Sequence, residues 1–135
     1  VVPGSVFFSV DLRHPDDGTL TAMDEALRKA CYAVASEEGL EIKLDETVYF
    51  PAQPFDEDCV RAVRDGAETL GHAHRDIVSG AGHDAVYLSR VIPAGMIFVP
   101  CKDGISHAEI EYAKPEDLTA GCNVLLRAVL ERAGS

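Results

Sequence analysis

From Val6 to Arg13 apolar and polar positions alternate, with Val6, Phe8, Val10 and Leu12 on one side and Phe7, Ser9, Asp11 and Arg13 on the other. A period of two predicts a strand with one buried face, and it directs Arg13 away from the core. "HPDDGT" breaks the pattern. From Leu20 the spacing changes: Leu20, Met23, Leu27, Ala30, Cys31 and Val34 recur as on one face of a helix, which Gly39 closes. "LEIKLDETVYF" then alternates again, with Leu40, Ile42 and Leu44 set against Glu41, Lys43 and Asp45. Strand, helix, strand is thus predicted for the first fifty residues, but two strands do not make a stable sheet by themselves.

"PAQPF", Pro51 to Phe55, is a proline-rich break and the candidate domain boundary. Beyond it Asp56 is the expected N-cap of a helix carrying Val60, Val63, Ala67 and Leu70 on one face, with Gly71 behind it. A second helix is expected from His83 to Val91, halted by Pro93. "GMIFVP", Gly95 to Pro100, reads as a strand buried on both faces. Pro115 suits the first turn of a last helix, in which Leu118, Cys122, Leu125, Leu126, Val129 and Leu130 are expected to pack inward. Both halves contain strands that need neighbours, the pattern of a piece of a larger α/β protein.

Composition narrows the choice of partners. The 135 residues are 47% hydrophobic, enough for a core, while twelve basic against twenty-three acidic side chains leave a formal charge of −11. That sign argues against nucleic acid and against an anionic membrane face. No apolar run approaches the roughly 20 residues of a spanning helix, and "VVPGSVFFSVDLRHP" has no charged n-region or cleavage site, so a cytoplasmic protein is expected. Cys31, Cys59, Cys101 and Cys122 form no C-x-x-C pair, and Cys31, Cys59 and Cys122 are expected as small buried hydrophobes.

The candidate chemistry lies with histidines and one arginine. His72 and His74 follow Gly71 in a loop and read as solvated residues. His107 ends "PCKDGISH", leaving the expected strand at its carboxyl end, where ligands gather in open α/β sheets; it is either a ligand or an ordinary surface loop histidine. His83 stands at the end of "SGAGHDA"; it is either a site residue, approached closely by ligand because of its small neighbours, or a residue of a glycine-rich turn in which Asp84 complements a helix dipole. Arg13 could clamp a carboxylate with two parallel hydrogen bonds, or be a solvated or ion-paired surface residue.

Together "VVPGSVFFSVDLRHPD", "SGAGHDA" and "GMIFVPCKDGISH", in this order, resemble the C-terminal part of the zinc-dependent amidohydrolases that include N-carbamoyl-L-amino acid hydrolase, β-ureidopropionase of the peptidase-like type and allantoate amidohydrolase. The resemblance covers essentially the whole chain. It implies an α/β fold class: part of an α+β, ferredoxin-like dimerisation and lid domain (residues 1–50), a linker (51–55) and the C-terminal part of the α/β catalytic domain (56–135). It further implies metal-dependent hydrolysis of a C–N bond in a linear amide, an N-carbamoyl-L-amino acid above all, by a homodimer with two zinc or manganese ions. Allantoate or a dipeptide is the alternative substrate, and a non-catalytic dimerisation module the alternative role.

Carried over residue by residue, Arg13 of "DLRHP" matches the arginine that binds the substrate carboxylate, which in the family reaches the neighbouring subunit's active site. Gly82 and His83 match residues lining the substrate site, and His107 matches the last metal-ligating histidine. The remaining ligands, the catalytic glutamate and a substrate-binding asparagine are expected before Val1, so the chain alone is expected to be inactive. Ala108 departs from the pattern, since the family commonly has asparagine there.

Overall fold

The computed structural model describes residues 2–134. They divide into two compact units, Val1–Ala52 and Gln53–Ser135. Four α-helices run in order: α1 (Asp17–Glu38), α2 (Glu57–Thr69), α3 (Asp84–Leu88) and α4 (Pro115–Ala133), with a 3-10 turn at Lys102–Gly104 between α3 and α4.

In the first unit α1 starts where a side chain satisfies its open N–H groups. The backbone N–H and hydroxyl of Thr19 both donate to Asp16 Oδ1, at 2.8 and 2.7 Å. At the other end Gly39 takes φ 66°, a left-handed conformation that costs glycine little, and its N–H returns to Ala35 O. Leu20, Met23, Leu27 and Cys31 are half-buried and Ala35 is buried, so the expected face of α1 is the covered one; Ala30 and Val34 lie outside it. The chain after α1 is tied back by the Ala52 N–H, which donates to Asp17 Oδ1 at 2.8 Å.

The expected strands do not form among the described residues, so they do not bear out the α/β lid-domain description. Residues 6–12 and 40–50 alternate in sequence, but among the described residues they form no ladder of backbone hydrogen bonds. Without that ladder, alternation does not create a buried side: Val6, Phe8 and Val10 are exposed as well as Phe7, which is 95% exposed. "GMIFVP" is likewise not a strand buried on both faces, since Gly95 to Ile97 and Val99 are half-buried and Phe98 is exposed.

The second unit is organised by α2 lying against α4. Asp56 caps α2, with the Cys59 N–H donating to its Oδ1 at 2.9 Å, and Pro115 occupies the first turn of α4. Ala62, Gly66 and Ala67 are buried on α2, and Val124 and Ala128 on α4. A Cβ added at Gly66 would stand 3.5 Å from the Val124 carbonyl oxygen and 3.4 Å from Arg127 Cγ. Those are ordinary contact distances, so Gly66 marks where the α2 backbone faces α4 directly. The helices run antiparallel, because Asp58 near the start of α2 lies 3.8 Å from Arg132 near the end of α4, whereas Gly66 meets Val124.

This close seam displaces the expected core. Leu118, Cys122, Leu125, Leu126, Val129 and Leu130 are exposed, because α4 turns its Val124 and Ala128 side toward the small residues of α2. Cys31 and Cys59 are half-buried, short of the full burial expected of them. Val60 and Val63 are half-buried and Leu70 is exposed for the same reason.

Residues 94–99 cross this pair. The Asp56 N–H donates to Ala94 O at 3.0 Å, Gly95 lies against Cys59, and Val99 lies against Gly121 so closely that an added Cβ would stand 2.6 Å from Val99 Cγ1. Valine is stiff at χ1 and yields little. Gly121→Ala is therefore expected to destabilise the unit by about 1–3 kcal/mol, the usual cost of overpacking. Adding Val99→Ala should return part of that loss; denaturation midpoints showing strictly additive effects would refute the contact.

Candidate functional site

Arg13 belongs to the first unit. Its side chain is 60% exposed and pairs with Asp11, Nε donating to the two carboxylate oxygens at 3.1 and 3.0 Å. That hydrogen bond, with the charge attraction behind it, raises the pKa of Arg13 and lowers that of Asp11 from their ordinary values. The guanidinium thus already holds a carboxylate in the geometry a carboxylate ligand would need.

In the second unit α2 anchors the chain that leads to His83. The His72 N–H donates to Ala67 O at 2.9 Å, and Arg64 Nη2 reaches Asp76 Oδ2 at 2.6 Å. That pair holds the Asp76 carboxyl below its usual range, chiefly through the hydrogen bond. His74 lies by the carbonyl of His72 and 3.7 Å from Glu68, as a loop residue.

His83 is the N-cap residue of α3, but its ring makes no cap hydrogen bond. The imidazole instead turns back over the turn Ser79–Gly82: Ser79 Oγ and His83 Nε2 are 2.6 Å apart, and the Phe98 ring meets the imidazole edge-on, with centroids 5.5 Å apart at 62°. His83 is half-buried, and the adjacent Gly82 is exposed, with nothing beyond its chain neighbours within 4 Å of where a Cβ would be. The space at Gly82 is therefore open. The expected helix to Val91 is cut to five residues, with turns through Ile92, so α3 is too short for its N-terminus to act as an anion site.

His107 stands on a loop closed at its base by the Lys102 N–H, which donates to Tyr112 O at 2.7 Å. Asp103 and His107 both take φ 57°, a region that disfavours side chains larger than glycine's. His107 is held there by its own N–H, which donates to Glu111 Oε2 at 2.8 Å, while the Glu111 N–H donates to Ala108 O at 2.9 Å. The loop takes this turn with no help from a side chain at position 108. The His107 ring is exposed and makes no hydrogen bond or ion pair among the described residues. A strained residue presenting an uncommitted imidazole suits one donor of a metal site. Among the described residues no group of three or more His, Cys, Asp or Glu gathers where it could hold a metal ion, so they do not make up such a site by themselves.

Ser79, Phe98 and Glu111 escaped the sequence reading. Each lies beside a histidine that was singled out, and the available signal was local: a hydroxyl four residues before His83 and a carboxylate four residues after His107.

The family model for peptidase family M20/M25/M40 matches residues 6–131. The chain belongs to this family. The N-carbamoyl-L-amino-acid amidohydrolase of Rhizobium meliloti is 40% identical over 133 residues, which make up 98% of this chain and 32% of that protein. The allantoate amidohydrolase of Bacillus subtilis is 34% identical over 125 residues, 93% of this chain and 30% of that one. A crystal structure of a hydantoinase/carbamoylase-family amidase from Burkholderia multivorans is 55% identical, with a TM-score of 0.88 over 90% of this chain and 30% of its own. This M20-family chain thus spans about a third of the length of the curated relatives it matches. No described helix is long and apolar enough to cross a membrane.

If Glu111 holds the His107 backbone, Glu111→Ala should speed amide exchange at His107 by roughly threefold to tenfold, as loss of a charge-assisted hydrogen bond does. Glu111→Gln keeps an acceptor oxygen and should stay near wild type. Hydrogen-exchange mass spectrometry at peptide level distinguishes the two; equal exchange in all three proteins would remove Glu111 from this role.

Proposed function

We propose that this chain works as part of a longer, metal-dependent amidohydrolase that cleaves a C–N bond in a linear amide, with N-carbamoyl-L-amino acids as the substrate class. The observation that carries the reading is His83, an imidazole not spent on capping its helix, oriented by Ser79 and Phe98 beside open space at Gly82. The relationship to an N-carbamoyl-L-amino-acid amidohydrolase, somewhat closer than to an allantoate amidohydrolase, supports the choice of substrate.

In this reading each residue has a distinct task. Arg13 binds the substrate carboxylate through the planar fork it now offers to Asp11, so substrate and Asp11 compete for the same donors. Gly82 leaves room for the amide, and His83 donates or accepts a hydrogen bond at the reacting group. His107 serves as one ligand to two divalent ions, zinc or manganese, and the other ligands and the general base come from residues outside this chain. When bound, those ions supply Lewis-acid polarisation of the amide carbonyl and activation of water. Residues 1–50 form part of a lid and dimerisation domain, which would bring Arg13 to a partner subunit's site, and residues 56–135 part of the catalytic domain. The protein acts as a cytoplasmic homodimer on a small carboxylate.

The test is made in the full-length protein. Ammonia release from N-carbamoyl-L-amino acids is expected with zinc or manganese; no release from these or from allantoate would refute the reading. Arg13→Ala should raise KM for carboxylate substrates on the order of 10- to 100-fold, the loss of a charged hydrogen-bonded contact, with metal content unchanged. His107→Asn should lower metal content by elemental analysis. Wild-type KM in the first variant, or wild-type metal in the second, would remove that residue from its role.

A further inference from the structure

Ser79 Oγ lies 2.6 Å from His83 Nε2. The same hydroxyl oxygen also accepts the Ala81 N–H at 3.2 Å. A serine hydroxyl has one proton to give and two lone pairs to receive with. With one lone pair turned toward Ala81, its O–H is free to be given to His83 Nε2. Donation in that direction pairs with the tautomer in which Nδ1 carries the proton. The Phe98 ring, edge-on at 5.5 Å, further limits rotation of the imidazole about its own bond.

Resting on the substrate-site reading of His83, we propose that Ser79 is a positioning residue. It donates to Nε2, selects the Nδ1–H tautomer, and thereby keeps Nδ1–H as the hydrogen-bond donor of the imidazole. Such a donor suits a substrate oxygen, the carbonyl of a linear amide as negative charge develops on it. The alternative tautomer would present a lone pair to that oxygen and repel it. The seam of α2 and α4 contributes indirectly, because it holds the 94–99 segment, and through it Phe98, in place. Ser79 touches no reacting atom in this scheme; it acts through His83.

The test uses the full-length, metal-loaded hydrolase with Ser79→Ala and Ser79→Thr, together with nitrogen NMR of labelled histidine, the His83 resonances being assigned by their loss in His83→Asn. Ser79→Ala is expected to lower kcat on the order of 10- to 100-fold, the scale of a misplaced catalytic group, with smaller change in KM and unchanged metal content. Its His83 resonances should move from one pyridine-type and one pyrrole-type nitrogen toward an averaged tautomer mixture. Ser79→Thr keeps the hydroxyl and should restore both kcat and the split resonances. Wild-type kcat with unaltered His83 resonances in Ser79→Ala overturns the proposal. Should that variant not fold, Ser79→Cys replaces it: a weak donor, it should show the same losses, and wild-type behaviour overturns the proposal equally. His83→Asn separates this failure from that of the underlying reading, since wild-type kcat/KM in that variant would remove His83 from the substrate site altogether.

Discussion

The second unit depends on one close contact, the antiparallel seam in which Ala62, Gly66 and Ala67 of α2 receive Val124 and Ala128 of α4. Its strength comes from small residues in contact. Ala62 is 1% exposed, and Gly66 faces the Val124 carbonyl, where a Cβ would stand at 3.5 Å. Dispersion falls away quickly with separation, so the seam depends on these two helices staying in contact along it. The segment 94–99 then needs only two anchors, the Asp56 N–H to Ala94 O and the Gly121 notch for Val99, to be laid across the pair.

That arrangement explains why the chemistry sits on connections and not on helices. Helix α2 tethers the chain before the Ser79–His83 turn through Ala67 and Arg64, and the crossing segment brings Phe98 against the imidazole. Just beyond Phe98 the same segment launches the loop that carries His107. Loops on a rigid frame can adopt backbone conformations that a helix forbids, and His107 does so at φ 57°, with Glu111 offsetting the strain by accepting its N–H. One short segment therefore serves both histidines: it restrains one ring directly and sets the starting point of the loop for the other.

The helices were legible in the sequence because their ends are local events. Gly39, Asp56 and Pro115 each satisfy or relieve a few backbone groups within one turn where the pattern placed them, while Asp16 caps α1 inside "HPDDGT", which the pattern marked only as a break. Strands were not legible in this way. Alternation from Val6 to Leu12 states which side chains a partner would cover, but the partner must be supplied from elsewhere, and among the described residues none pairs with it. The family was legible from three motifs taken together. The supports of His83 and His107 were not: a hydrogen bond from Ser79 to an imidazole, or from a backbone N–H to Glu111, depends on how a turn closes, which residue identity alone does not determine.

Helix α4 shows how a correct pattern can still yield the wrong core. Leu118, Cys122, Leu125, Leu126, Val129 and Leu130 form a broad apolar surface, and Val124 with Ala128 forms a narrower one beyond the polar stripe of Glu116, Asn123, Arg127 and Glu131. Periodicity picks out the broader surface as the face to bury. The small residues of α2 meet the narrower Val124 side instead, and the larger leucine surface stays exposed. Burial in α4 therefore follows from which surfaces meet it more than from which residues it carries.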